Sequence, residues 1–459
     1  MLRSAVMPQH SALLHGTTGG VFTRRGAASV LMLLLVAPPA AAQFDRNRLD
    51  VTGRQNLTPG SGARAYGMGG AFLARADDAT AASWNPAGLS YLRLPEISLV
   101  GNYNSFETQD GDVTDHFEGG SFDFAAFTWP ISIGETRGAV QISYQRAISF
   151  DGTREIDEVL ERRTEGRSDG GFDVASFGTG LRLTRRLRLG LTLNRWLNGY
   201  EQSFSRFVPD NQRPRRDFDL DFRPRGWSVN LGIMWSPIEE LNVGGVLKTP
   251  FTADVTLEKH RTDYWFSGTE AEVITENAFR SEAVRLESPT SFGLGLSWRP
   301  RDTLTLSADF TRTGWSRATI LQYFELPFTL PGVESPPPVF YPELPYPTLV
   351  AEQTDAEQIR VGIEYVLIRG RLKVPLRAGY FNDRQITADA TGDVPRYNGV
   401  TVGTGIILGS LLLDVAYLHE FGSYSVTVVS TEGQPVVIPY SLKTRRVFAS
   451  LIYRFAGRP

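Results

Sequence analysis

The sequence predicts an all-β protein: a 14-stranded antiparallel transmembrane β-barrel with an N-terminal glycine- and alanine-rich, partly helical plug. Three observations predict it. From position 96 onward, segments of roughly ten residues alternate apolar with polar or small side chains, as strands with one face in lipid do. The connections between those segments alternate short and long. Ahead of them stands a stretch of export-signal character, followed by some fifty residues that do not alternate at all.

The chain begins with the signal. Arg3, Arg24 and Arg25 precede an apolar run at 27–36 that ends in Ala40, Ala41 and Ala42, so residues 1–42 read as a signal peptide cleaved before Gln43. The run is shorter than the about 20 residues that cross a bilayer as a helix. The Arg24-Arg25 pair lacks twin-arginine flanks, and ordinary Sec export is expected. Cysteine is absent, which excludes a disulfide framework and a lipid-acceptor thiol after the leader. The formal net charge is −3, and the leader carries arginines but no acid, so the exported part is more acidic still. Nucleic acid is not an expected partner of such a chain.

Residues 43–95 are expected to form a compact element of their own. The run around Gly67, Gly69 and Gly70 allows close backbone packing. Asp77 or Asp78 can cap a short alanine-rich helix, which Pro86 stops near Trp84. Asn85, ahead of Pro86 and Ala87, can bond local backbone in the turn that the proline enforces. A piece of this size before a barrel with a polar interior is expected in the lumen, as a plug.

The barrel, residues 96–459, follows. Leu187, Leu189, Leu191 and Leu193 alternate with Arg188, Gly190, Thr192 and Asn194, and Trp227 to Trp235 alternate in the same way. Because side chains on a strand point to opposite faces with period two, such segments put an apolar row outward and a polar row inward. Candidate strands lie near 96–106, 120–130, 136–149, 171–184, 187–200, 225–236, 241–253, 283–298, 303–315, 357–368, 372–382, 398–407, 411–421 and 445–455. Tight connections at 130–135, 185–186, 236–240, 299–302, 369–371 and 408–410 alternate with long ones, as an even-stranded barrel with both ends in the periplasm requires. Phe127, Trp129, Trp235 and Trp298 stand beside tight turns and read as an aromatic girdle. The last strand runs Val447, Ala449, Leu451, Tyr453, Phe455. It resembles the terminal signal read by barrel-assembly machinery, with four residues after the phenylalanine.

The long connections carry aromatic residues that a simple porin would not expose. Tyr264, Trp265 and Phe266 fall in the fourth, and Tyr323, Phe324, Phe328, Phe340, Tyr341 and Tyr346 in the fifth. These nine are the candidate residues for capture of a hydrophobic substrate, the alternative being a rigid lid packed on itself. A basic cluster, Arg206, Arg213, Arg215, Arg216, Arg223 and Arg225, is expected in the third long connection, balanced by nearby Asp210, Asp217, Asp219 and Asp221. Beyond the leader the histidines are His116, His260 and His419, with no pair at metal-ligand spacing, and Phe72 stands where a nucleotide-binding glycine motif needs its third glycine. No catalytic residue, metal or cofactor is expected.

The stretch Gly62 to Leu89 reads G-A-R-A-x-G-M-G-G-A-F and then A-D-D-A-T-A-A-x-W-N-P-A-G-L, with Asn85-Pro86-Ala87 its most recognisable point. Together with Pro289 to Gly295, Trp298, Asp309-Phe310 and Trp315-Ser316, it resembles the FadL/TodX (OMPP1) outer-membrane transporters of hydrophobic compounds and the related PorV-like barrels. The resemblance implies the plug motif Gly67, Gly69, Gly70, Asp77, Asp78, Asn85, Pro86 and Ala87, and passive uptake of long-chain fatty acids or aromatic hydrocarbons across the outer membrane. The alternative it implies is a PorV-like shuttle or scaffold for exported proteins. Expected partners are outer-membrane lipid and lipopolysaccharide, a hydrophobic small molecule, and the barrel-assembly machinery during biogenesis. The expected state is a monomer.

Overall fold

The computed structural model describes residues 60–110, 113–157, 163–207, 215–267, 270–317, 354–429 and 435–455. The signal peptide, the first part of the expected plug and most of the fifth long connection lie outside them. Two short helices, α1 (Ala63–Gly67) and α2 (Ala81–Trp84), and a 3-10 turn, Pro86–Tyr91, precede the sheet.

Fourteen antiparallel strands close on themselves. They are β1 (Glu96–Asp110), β2 (Val113–Ile133), β3 (Thr136–Ser149 and Gly152–Asp157), β4 (Arg163–Arg182), β5 (Leu187–Leu197 and Tyr200–Phe207), β6 (Arg215–Ile238) and β7 (Leu241–Lys248 and Phe251–Ser267). The circuit continues with β8 (Glu270–Ser288 and Ser291–Arg301), β9 (Leu304–Thr313), β10 (Ala356–Arg369), β11 (Leu372–Arg384), β12 (Arg396–Leu408), β13 (Leu411–Val429) and β14 (Pro435–Arg454). Four strands are each interrupted by two residues, and in each the two pieces pair with a shared neighbouring strand. Closure is made by β1 on β14, where Ile97 faces Tyr453 and Leu99 faces Leu451, so the sheet has no open edge.

The period-two reading predicts which side chains face outward. Leu189, Leu191 and Leu193 of β5 are exposed, whereas Thr192 between them is buried. Trp227, Leu231, Ile233 and Trp235 repeat this on β6, and Trp129 (54% exposed) and Trp298 (47%) stand at the tight-turn end. A water-facing sheet could not leave such rows uncovered; in lipid they are the solvated face. No described helix is long and apolar enough to cross a membrane, and the crossing is made by strands.

One expectation needs correction. The connections opposite the tight turns are not uniformly long, because the strands run well past the apolar belt. β1 and β2 end only two residues apart, as do β7 and β8. The basic cluster expected in the third connection is largely strand: Arg206 of β5 lies opposite Arg216 of β6, and Arg215 to Arg225 are all within β6. The reason is that ladder hydrogen bonds need no lipid. Outside the bilayer both faces of a strand can be polar, so alternation of hydropathy stops while pairing continues.

Candidate functional site

Residues 60–92 are seated against the inner faces of the strands. Their small side chains explain the closeness of fit: Ala63, Ala71, Ala76, Ala79 and Ala81 are fully buried. The strands reciprocate with glycine at inward positions. A Cβ added to Gly180 of β4 or Gly244 of β7 would lie 2.5 Å from the carbonyl oxygen of Pro86 or Leu73 respectively. Gly190, Gly232, Gly362 and Gly379 face Ala87, Asn85, Met68 and Gly69 still more closely. Any larger residue at these places would have to displace backbone, so the wall is shaped to this segment.

Polar side chains from the wall take up the segment's backbone groups. The amides of Phe72 and Leu73 both donate to Asp309 Oδ2 (2.6 and 2.8 Å) from β9. Gln141 of β3 donates to the carbonyl of Ala79 at 2.7 Å. Thr401 of β12 accepts from the amide of Gly69 (2.9 Å) and donates to the carbonyl of Gly67 (3.1 Å). Arg360 of β10 donates to the carbonyl of Gly69 (2.9 Å) and pairs with Asp383 at 2.8 Å. Apart from the Gly69 amide, which also donates to the carbonyl of Tyr66, these bonds satisfy backbone groups that would otherwise be buried unpaired, at a cost of about 1–3 kcal/mol each. On the apolar side, Tyr66 stacks on Phe448 of β14 with centroids 4.0 Å apart, and its indole neighbour Trp84 packs edge-on at 5.9 Å.

Charges are shared between segment and wall. Glu364 of β10 accepts from Arg377 Nε at 2.8 Å and lies 3.2 Å from Arg75 and 3.4 Å from Arg64. Arg64 in turn pairs with Asp77 (2.7 Å) and Asp78 (3.2 Å), Arg75 pairs with Asp77, and Arg377 reaches Asp414 at 2.6 Å. Burial pushes the Asp77 carboxyl up, but the charges of Arg64 and Arg75 override it and hold the group below its usual range. Burial, aided by the charges of Asp123 and Asp383, drives the Tyr66 hydroxyl well above its ordinary value.

The candidate residues of the plug motif lie together here. Gly69 and Gly70 adopt left-handed backbone (φ 68° and 76°), which lets the chain turn beside the wall. Helix α2 ends at Trp84, and its N-cap is Thr80 rather than an aspartate; Asp78 Oδ1 instead accepts from the Thr80 amide and hydroxyl. Asn85 is fully buried: Oδ1 accepts from the Ala87 amide at 3.2 Å, and Nδ2 donates to Leu73 O (2.9 Å) and Ile233 O (3.1 Å). It therefore ties two parts of the segment to β6. Pro86 and Ala87 fill the space left by Gly180 and Gly190.

The expected capture residues do not form a described cluster. Tyr264, Trp265 and Phe266 belong to β7, opposite Val273, Glu272 and Ala271 of β8, rather than to a loop. Tyr323, Phe324, Phe328, Phe340, Tyr341 and Tyr346 lie outside the described residues. What reasoning from sequence missed is a cavity of about 630 Å³ beside the interruption of β5, lined by Arg146, Asp173, Arg195, Tyr200, Asp221 and Arg223. Arg146 pairs with Asp173 at 2.9 Å and with Asp151, and Arg223 pairs with Asp221 and with Glu201 at 3.3 Å. Its signal in sequence was the arginine–aspartate pattern, spread over strands that only the fold brings together.

Solved structures with the same architecture include a Pseudomonas aeruginosa FadL homologue (TM-score 0.59, 14% identity, 87% of this chain and 99% of that one). Others are the CymD monoaromatic hydrocarbon channel (0.54, 15%, 88% and 99%) and the Ralstonia pickettii toluene transporter TbuX (0.52, 14%, 87% and 100%). At these identities the likeness is one of fold. No curated protein matches the chain. The lipid-facing rows and the closed barrel make the molecule an integral protein of the outer membrane. The family model described as BamG matches residues 59–325, more than half of the chain, from the lumenal segment through β9, and the protein belongs to that family.

Proposed function

We propose that the protein is an outer-membrane channel for passive uptake of hydrophobic small molecules, of the class of long-chain fatty acids or aromatic hydrocarbons, with residues 43–95 as the plug of its lumen. The observation that carries this reading is the seating of residues 60–92 on a glycine-rich inner wall within a barrel of the FadL type. Solved structures of that architecture include a monoaromatic hydrocarbon channel and a toluene transporter. The physics requires no energy source. A hydrophobic molecule gains roughly 25 cal/mol for each Å² of apolar surface it buries, so successive apolar pockets can relay it down its gradient. Nothing in this reading calls for catalysis.

The test is extraction and mass spectrometry of hydrophobes that co-purify with the detergent-solubilised protein, with a barrel of polar lumen as control. A fatty acid or hydrocarbon enriched to stoichiometric amount is the expected result. Enrichment no greater than in the control would reject the channel reading.

A second reading, a PorV-like shuttle or scaffold for exported proteins, is favoured by one observation: the cavity bounded by Arg146, Asp173, Arg195 and Arg223 is charged rather than apolar. Charged linings suit polypeptide contacts better than hydrocarbon. A stable protein partner in gentle detergent pull-downs is what this reading requires.

A further inference from the structure

Four arginines fall within seven residues at the turn between β4 and β5: Arg182, Arg185, Arg186 and Arg188. The turn is tightly fixed. The amides of Leu183 and Thr184 donate to the carbonyl of Leu187 (3.0 and 3.1 Å), while Thr184 Oγ1 accepts from the amides of Arg186 and Leu187 (3.1 and 2.9 Å). Parity then sorts the side chains. Arg182 shares the inward face with Gly180, and Arg188 shares it with Gly190 and Thr192, all of which meet the lumenal segment. Arg185 and Arg186 stand exposed at the tip.

Arg182 and Arg188 are direct cross-strand partners, an arrangement that places like charges side by side. A third positive charge, Arg93, follows two residues after Tyr91, whose ring lies under the Arg188 guanidinium at the end of the 3-10 turn. Among the described residues no carboxylate pairs with any of the five arginines. Arg188 is nevertheless held in place: its guanidinium lies 4.0 Å over the ring of Tyr91, and Nη1 donates to Ser236 Oγ at 3.1 Å. Its Nε, on the edge by which guanidinium groups pair with oxyanions, is buried and has no hydrogen-bond partner.

We propose that Arg93, Arg182 and Arg188, with Arg185 and Arg186 at the rim, form a phosphate-binding site at the periplasmic mouth of the barrel. The charge arrangement is unfavourable when empty and favourable around one compact polyanionic group. A phosphate has oxygens enough to engage three guanidinium groups at once, whereas a carboxylate has two, and the planar fork of arginine matches phosphate geometry. The location also fits. Tight turns mark the periplasmic end of a barrel, and the lipid-facing Leu183 and Leu189, next in sequence to Arg182 and Arg188, put the turn and its exposed Arg185 and Arg186 at the level of the inner-leaflet headgroups. The same chemistry could be met by a phospholipid headgroup or by a soluble phosphate. The proposal does not depend on what the lumen transports.

The test uses the whole exported protein, purified in neutral detergent, delipidated, and examined by native mass spectrometry and thermal unfolding. Phosphatidic acid, whose phosphomonoester headgroup has three free oxygens, and inorganic phosphate are added separately to the native protein and to an Arg182→Gln/Arg188→Gln double variant. Migration as a compact band in unheated SDS confirms that each barrel is folded. Retention of one phosphatidic acid per barrel, weakened at least tenfold in the variant, identifies a lipid headgroup site. A rise in unfolding temperature with inorganic phosphate alone, absent from the variant, identifies a soluble phosphate site. Binding of neither, or equal binding by both proteins, overturns the proposal. If the double variant does not fold, Arg93→Gln, outside the barrel wall, replaces it with the same expected loss.

Discussion

Gly244 of β7 faces the carbonyl oxygen of Leu73 so closely that a Cβ built on it would lie 2.5 Å away, where no ordinary side-chain contact is found. The relationship makes barrel wall and lumenal segment mutually dependent in shape, though more than 160 residues separate them. Substituting Gly244 by valine should leave the barrel folded and dislodge the segment around Leu73. Overpacking of this kind costs about 1–3 kcal/mol, more where backbone must move. Protease cleavage within residues 60–92 should become detectable in the folded variant. Gly120→Ala is the control, since its nearest neighbour would be 3.5 Å away. Equal protection in the two variants would count against a wall shaped to the segment.

Asp309 binds two successive amides through one oxygen. Replacing it by alanine leaves the amides of Phe72 and Leu73 buried without an acceptor, at about 1–3 kcal/mol each. Asparagine retains an oxygen of nearly the same position and should lose less. Hydrogen exchange at residues 70–75 is the measurement. Asp309→Ala should exchange tens of times faster than the native protein, with Asp309→Asn between them; identical rates would show that these bonds do not hold the segment.

Much of this was legible beforehand, and the limits have a physical reason. The lipid-facing rows of β5, β6 and β12 announce themselves because bilayer and lumen impose opposite chemistry on successive residues. Where β6 continues through Arg215 to Arg225 that contrast vanishes, and paired backbone reads as a charged loop. The segment's Asn85-Pro86 turn was visible because its bonds are partly local. Its acceptors Asp309 and Glu364 were not, since an inward acid on a strand looks like any other lumenal polar residue until closure of the barrel sets it opposite Phe72 or Arg75. Inward glycines such as Gly244 were hidden for the same reason.

Glu364 joins wall to segment through three arginines, so its loss should be felt in both. Glu364→Gln keeps the shape and removes the charge, leaving Arg377 with Asp414 and Arg64 and Arg75 with Asp77 and Asp78 alone. Breaking a buried pair by removing one partner typically costs about 3–5 kcal/mol. The expected result is a fall in unfolding temperature of the native barrel in detergent that is absent, or much smaller, once residues 43–95 have also been deleted. Equal falls in both backgrounds would place the effect in the wall alone.

Asp77 gives the assembly a defined response to acid. Although burial raises its pKa, the neighbouring Arg64 and Arg75 lower it further, so the folded value lies below that of the unfolded chain. A depressed carboxylate contributes stability that is fully present above its unfolded pKa, about 4, and is lost as pH falls through the folded value. Between pH 8 and 5 the seating of the segment should therefore not change through this group, and loosening should begin below about pH 4. Protease sensitivity of residues 60–92 measured across this range should show that onset. Asp77→Asn should be looser throughout and lack the acid step; an unchanged acid step in that variant would assign the response to another carboxylate.

If residues 43–95 are the plug of the lumen, removing them should leave a barrel that still closes, because strand pairing from β1 to β14 involves none of the described residues among them. The inward faces left behind are rich in glycine, aspartate, glutamate and arginine, which water can solvate without collapse of the wall. A wide, wet passage should then open along the axis. The deletion variant should fold to a heat-modifiable form and give ion conductance in planar bilayers several times that of the native protein, with a reversal potential near zero in a salt gradient, unlike a cation-only leak, because both charge signs line the wall. Conductance equal to that of the native protein in a folded deletion variant would refute the plug assignment, and with it the part of the uptake reading that depends on a gated lumen.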